Sequence, residues 1–527
     1  MGPAVASAAP VAASPRPACG RRAVRVLALI GFFAAVWGAR LAVIGHFGSD
    51  LPKWDQWLAE GARLILPSEQ HRLAWSEFVR PHNEHRIAFT RALALALYKL
   101  NGRWDARVEC VVNAALAAVL AAGAGVVGGR LLPARWRLPW LFLVLFLSAL
   151  PIAWDNILSG FHSQQFLLIG FSIGGMAGLH RPAGSWLWWG GVVCLGCALF
   201  AMGSGLLAAA AYAAAVIWTA QSVRELRASA ATLLACTAIA GAGFWLQRDV
   251  ATADALRAAT TGEFLRAFWH YAEWPIVRIC PAPWSLVALP WLWAPWMWVA
   301  WRTLRAGAAV TTCERLAFAV GLWTLLQMVA SAYARGAGPL EVPSRYVDTL
   351  LVGVAINAGA LALMLSAGSV GDARSWRRGL RAGSLGAFGF VLIGLSVQIV
   401  YQVRYRLPLE REYARAHEAS VRSYLVSGDY EQLARANVPD TDPRELAELL
   451  GHPEIRSALP ESVRLASRDG DEPALSRMAR MLANGGGGIG LGGLALLGLA
   501  ITCRGLHPAA AERGEPPPQS RSGWTGR

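Results

Sequence analysis

The chain is dominated by a series of apolar runs, most of them close to the ~20 residues that an α-helix needs to cross a bilayer. They lie at about 26–46, 108–130, 138–154, 164–179, 185–203, 205–220, 229–246, 284–301, 316–333, 347–367, 383–403 and 485–503. In hydrocarbon only helices or closed barrels satisfy every backbone amide. The runs therefore predict an all-α fold, a polytopic membrane helix bundle of about 12 spans. The run 164–179 is short, and 185–220 also reads as one over-long helix. Arg21, Arg22 and Arg25 precede the first run, which ends without a small-residue cleavage site. It reads as an uncleaved signal anchor in preference to a signal peptide.

Composition excludes the other classes. Of the 527 residues, 55% are hydrophobic and 16% charged, against roughly 25% charged in a soluble domain. The apolar content excludes disorder as the main state. The eight cysteines sit mostly inside apolar runs, which excludes a disulfide-stapled secreted module. The net charge of +15 does not indicate nucleic acid, because many of the arginines fall in short connections between runs. With the N-terminus in the cytoplasm, the inside connections hold Arg130, Arg135 and Arg137, then Arg181, Arg224 and Arg227, Arg302, Arg305 and Arg315, and Arg374, Arg377, Arg378 and Arg381. That is the positive-inside pattern, and many of the 24 tryptophans sit at run ends, as an interfacial belt requires.

The chain divides accordingly. Residues 1–22 form a disordered cytoplasmic N-terminus, and 23–403 a membrane domain with a first extracytoplasmic loop at 47–106. Residues 404–480 form a small helical extracytoplasmic tail domain, 481–503 a last span weakened by Gly485–Gly488, and 504–527 a disordered cytoplasmic tail. Within the first loop, 87–100 is apolar but too short to span and reads as an interfacial helix.

Unusual polar residues collect in the outside connections. Asp50 and Asp55 follow the first run, with Trp54 and Trp57 beside them; a carboxylate there suits a general base. His82, Asn83, Glu84, His85 and Arg86 form a dense polar cluster. His82 and His85 on one helical face suit a metal only with further ligands, so a hydrogen-bonded cluster facing a cavity fits better; no cofactor is indicated, and a divalent metal stays an open alternative. Asp155, Asn156, His162, Gln164 and Gln165 lie before and at the start of the fourth run, where polar groups at membrane depth need partners. Gly203 and Gly205 permit close backbone approach. Arg335, Arg345 and Tyr346 share one outside loop, and paired guanidiniums suit a phosphate. Cys194 and Cys197 have redox spacing but lie mid-run without a second pair.

These pieces together resemble the C-type membrane glycosyltransferase superfamily (GT-C fold): a first span, a long outside loop with early acids, an interfacial helix and many further spans. The segments Asp55-Gln56-Trp57, His82 to Arg86, Trp154 to Asn156, Gly160 to His162 and Ser344 to Tyr346 look like a group of uncharacterised bacterial membrane proteins placed near it. So do Tyr424-Leu425, Ser427 to Asp429 and His452 to Arg456. The resemblance implies a polyprenyl-phosphate sugar donor, a glycan or lipid acceptor and extracytoplasmic chemistry in a bacterial inner membrane. It further implies a loop acid as base and Arg335 and Arg345 on the lipid phosphate, with His82, Asn83, His85, Arg86, Asp155, Asn156, His162, Gln164 and Tyr346 around the substrate. The family's commonest pattern is two adjacent acids. Here Leu-Pro-Lys-Trp separates Asp50 from Asp55, so the base is Asp55, Glu84 or Asp50. The alternatives are a transporter or flippase of a lipid-linked glycan, or a non-catalytic envelope-polysaccharide assembly protein.

Overall fold

The computed structural model describes residues 21–247, 255–276, 284–306, 310–339, 341–367, 374–435, 442–464 and 472–505. The disordered termini expected at 1–22 and 504–527 lie outside them, apart from Arg21–Arg22 and Arg504–Gly505, which are helical. The main helices are α1 (Arg21–Phe47), α2 (Ala88–Asn101), α3 (Ala106–Leu131), α4 (Arg137–Ala149), α5 (Ser163–Leu179), α6 (Trp186–Ala198), α7 (Leu206–Thr219), α8 (Ala230–Trp245) and α9 (Thr261–Glu273). They continue with α10 (Trp284–Ala306), α11 (Thr312–Arg335), α12 (Val347–Ser366), α13 (Arg374–Tyr401), α14 (Leu407–Ser427), α15 (Pro443–Gly451), α16 (Pro453–Ala458), α17 (Ala474–Asn484) and α18 (Gly486–Gly505). There is no β-strand among the described residues. The protein is a helical membrane protein: seven of its helical segments are long and apolar enough to cross a bilayer. The ambiguous stretch 185–220 resolves into α6 and α7, because Gly205 at the intervening turn packs where a Cβ would lie 2.0 Å from the Ala198 carbonyl.

Local sequence sets the helix ends. Asp105 caps α3 by accepting from the Arg107 and Val108 amides at 2.9 and 3.4 Å. Thr311 and Glu314 form a reciprocal capping box on α11. At the end of α12, Arg135 Nη2 donates to the Leu365 carbonyl (2.9 Å) and Arg381 Nη2 to those of Met364 and Ala367 (2.9 and 2.6 Å). Cations here satisfy orphan carbonyls and suit the negative end of the helix dipole. The opposite end of α12 begins at Val347, about 30 Å away at 1.5 Å per residue. The arginine-rich end and the polar turn at Ser344–Asp348 thus occupy opposite ends of one helix.

The last helix forms despite its glycines, and those glycines explain its packing. A Cβ on Gly38 would lie 2.2 Å from the Gly490 nitrogen and 2.7 Å from the Gly486 carbonyl, so α1 and α18 meet backbone to backbone. Such contact favours association in lipid, where burial of apolar surface drives little.

The helix from Arg378 to Ser427 runs 50 residues, with a π-helical turn at Gln402–Arg406. At about 75 Å it greatly exceeds the ~30 Å hydrocarbon thickness, so its end must project from the membrane. There α14–α16 share a core with the first loop: Leu51, Trp57 and Trp104 pack with Val421, Leu450 and Ile455. Ser49 Oγ donates to Glu418 (2.6 Å), and the Trp104 amide to the Ala458 carbonyl (2.7 Å).

This packing gives a direct expectation. Gly38→Val should destabilise the detergent-solubilised protein by about 2 kcal/mol or more, the overpacking range. Gly492→Val, where a Cβ meets nothing within 4 Å, should leave the thermal transition in place.

Candidate functional site

The site is organised by a tight turn. His82 and His85 exchange backbone hydrogen bonds (2.8 and 3.0 Å), with Asn83 at φ 48°, a left-handed conformation that asparagine tolerates. This corrects the expectation that the two histidines share a helical face. The turn aims their rings at different neighbours, and no group of three or more His, Cys, Asp or Glu side chains suited to a metal occurs among the described residues.

On one face, His82 Nε2 lies 3.5 Å from Asp55 Oδ1, and the His82 ring packs edge-on against Phe161. Asp55 is half-exposed at 48% while His82 is buried. Burial alone would raise the Asp55 carboxyl, but His82, His162 and Arg345 outweigh it and hold the group below the usual carboxylate range. His162 Nδ1 is 3.2 Å from the Asp155 carbonyl and 3.7 Å from its carboxylate. Burial lowers this imidazole, with Asp155 opposing.

The other face opens into a cavity of about 530 Å³, lined by Glu84, His85, Gln165, Gly203, Arg257, Tyr271, Gln327, Tyr333, Arg335 and Tyr346 among others. That volume lies within the range of small-molecule sites. Arg335 Nη2 pairs with Glu84 at 2.5 Å, while its buried Nε has no partner. Burial would raise Glu84, but His85 and Arg335 prevail and lower it. The Gly203 amide donates to His85 Nδ1 at 3.3 Å. An N–H can only donate, so Nδ1 carries no proton and Nε2–H faces Glu84 at 3.8 Å. Burial lowers His85 as well. Gly203 is required here, since a Cβ would lie 2.7 Å from the Glu84 carbonyl.

The two faces share one wall, the turn Ser344–Asp348. Arg345 feels the charges of Asp155 and Asp55, and its neighbour Tyr346 lines the cavity beside Tyr271, at 6.3 Å between rings. Asn156 Nδ2 donates to the Arg345 carbonyl and to Asp348 Oδ2, both at 2.9 Å. Asp348 in turn holds Arg40 at 3.2 Å.

Several candidates lie elsewhere or act structurally. Asp50 is buried beside Asp105 and Glu418, with its carbonyl accepting from Ala106. Arg86 ties down the Val79 carbonyl at 2.7 Å. Asn83 is exposed in its turn. Gln164 is buried with its Oε1 unpartnered, and the cavity wall is its neighbour Gln165. Residues not anticipated are Arg40, Arg257, Gln327 and Asn113, whose Nδ2 donates to the Gly160 carbonyl at 2.7 Å. A charge inside the first apolar run was the visible signal for Arg40; Arg257 carried none.

A buried acid pair was also missed. Gln56 Nε2 donates to both Glu60 (3.1 Å) and Glu109 (3.2 Å), and Trp104 Nε1 to Glu60 (3.0 Å). Burial pushes the Glu60 carboxyl up to about 7, and the donated hydrogen bonds offset only part of this.

No family model, curated protein or solved structure matches this chain.

Because the folded-state Glu60 value exceeds its ordinary 4.5, its contribution to stability is full below pH 4.5 and is lost as pH rises through about 7. Thermal unfolding of wild type compared with Glu60→Gln should show this component of the pH dependence disappearing in the variant.

Proposed function

We propose that the protein is a membrane glycosyltransferase that moves a sugar from a polyprenyl-phosphate donor to an envelope acceptor. In this reading the bundle has about twelve spans and lies in a bacterial inner membrane, with its N-terminus in the cytoplasm and its site on the extracytoplasmic side. The observation that carries the reading is the pairing of a cavity walled by guanidiniums and tyrosines with a half-exposed, ionised Asp55 on the other face of the same turn. The opposite, arginine-rich end of α12 supports the orientation.

The chemistry divides between the faces. An acceptor hydroxyl attacks the anomeric carbon as the bond from that carbon to the phosphate oxygen breaks. Asp55 takes the hydroxyl proton. It is half-exposed and free of an arginine pair, which distinguishes it from Glu84, engaged by Arg335, and from Asp50, buried beside other acids. Charge accumulates on the departing lipid phosphate, where Arg335 and Arg345 stabilise it in a site with little competing water. Neutral His85 offers an Nε2–H to a substrate oxygen, and Tyr271, Tyr333 and Tyr346 offer ring faces and hydroxyls to a sugar.

Purified protein offered labelled polyprenyl-phosphate sugars should transfer sugar. Asp55→Asn should slow transfer at least 10²-fold, the scale of a lost general base, with unchanged folded yield. Arg335→Gln should raise KM for the donor. Full activity in Asp55→Asn would remove Asp55 as base. No transfer by wild type, with labelled lipid moved across the bilayer, would replace the reading with a transporter.

A further inference from the structure

Arg40 lies in the first apolar helix, only 2% exposed, and outside the cavity. Its guanidinium is engaged on most sides. Nε donates to the Ser148 carbonyl (3.0 Å), Nη2 pairs with Asp348 (3.2 Å), and its plane lies over the Phe166 ring at 5.3 Å. Nη1 is buried without a partner. The three engaged groups sit on α4, α12 and α5. Well-packed apolar residues often replace a buried ion pair with no loss of stability. The pair is therefore poorly explained as a stabilising device, and an intramembrane charge points to function.

The hydrogen bonds show where its influence goes. Asp348 is gripped from two directions, by Arg40 on Oδ1 and by Asn156 on Oδ2. The same Asn156 amide holds the Arg345 carbonyl. Ser344 Oγ donates to the Ile152 carbonyl (3.0 Å) and accepts from the Asp155 amide (3.2 Å). The turn bearing Arg345 and Tyr346 is thus clamped at one end by Ser344 and at the other through Asp348 to Arg40. Among these anchors only the Arg40 link reaches α1.

We infer that Arg40 is a positioning residue: acting through Asp348 and Asn156, it sets the Ser344–Asp348 turn so that Arg345 meets the phosphate of a lipid-linked ligand. The inference rests on the phosphate-binding part of the proposed function. It does not require sugar transfer. It assigns Asn156 a place behind the wall, not in contact with substrate.

The test uses the full chain in detergent micelles, with farnesyl phosphate as probe and farnesol as the same chain without the phosphate. The variants are Arg40→Met with Asp348→Leu, which removes both charges together, and Asn156→Leu, which cuts the link to Arg345 and leaves the ion pair intact. Calorimetric titration of each should show farnesyl phosphate bound about 10-fold more weakly than by wild type, with farnesol affinity unchanged. Arg345→Gln should give the same loss, and adding it to the double variant should produce little more, because the changes act on one contact. Asn156→Leu decides the matter if the double variant fails to fold. Wild-type affinity for farnesyl phosphate in a folded variant would overturn the inference. So would a parallel loss of farnesol binding, or a wild type that does not distinguish the two probes. Phosphate recognition without sugar transfer would sink the transferase reading and leave Arg40 in place.

Discussion

A guanidinium cannot be left alone in hydrocarbon, and the rest of the site follows from how this chain solves that problem. Arg40 on α1 meets Asp348 at the start of α12, and the carboxylate completes its coordination with Asn156. Removing one charge would strand the other in a medium that cannot solvate it. The two helices and the short helix Trp154–Leu158 are therefore held in one arrangement. That arrangement places the Ser344–Asp348 turn between the two polar faces of the site. The close glycine contacts of α1 with α18 also constrain the position of α1 through backbone packing.

The turn His82–Asn83–Glu84–His85 shows how four adjacent residues serve two environments. Its backbone bridge sends one imidazole toward Asp55 and the other toward Gly203 and the cavity. Each acid then acquires a distinct electrostatic role. Asp55 stays ionised and half-exposed, while Glu84 pairs with Arg335.

Much of this was legible in the sequence because hydrocarbon imposes periodic, unmistakable runs. Each of the twelve apolar runs contains helix, and the polar pieces from the connections between runs gather in space. Asp55, His82, His162 and Arg345 share one region, as do Glu84, His85, Arg335 and Tyr346. What was not legible depends on tertiary contact. Nothing local shows that His82 and His85 close a turn, since that follows from Asn83 taking a left-handed conformation. The glycines of α18 read as helix-weakening because propensity scales describe helices in water. Glu60 and Glu109 are 49 residues apart, and only the tertiary fold brings them together at Gln56. The region beyond residue 403 reads as separate, yet the helix continues through that point and α14–α16 share a core with the first loop.

The central claim is that the cavity beside the His82–His85 turn holds a lipid-linked phosphate. A cryo-electron microscopy map of the full chain with a non-hydrolysable polyprenyl-phosphate sugar analogue tests it most directly. The account predicts phosphate density within hydrogen-bond distance of Arg335 or Arg345, the sugar toward Asp55 and the lipid chain leaving between helices. An occupied map with the phosphate elsewhere, or a cavity unchanged at saturating analogue, would contradict it.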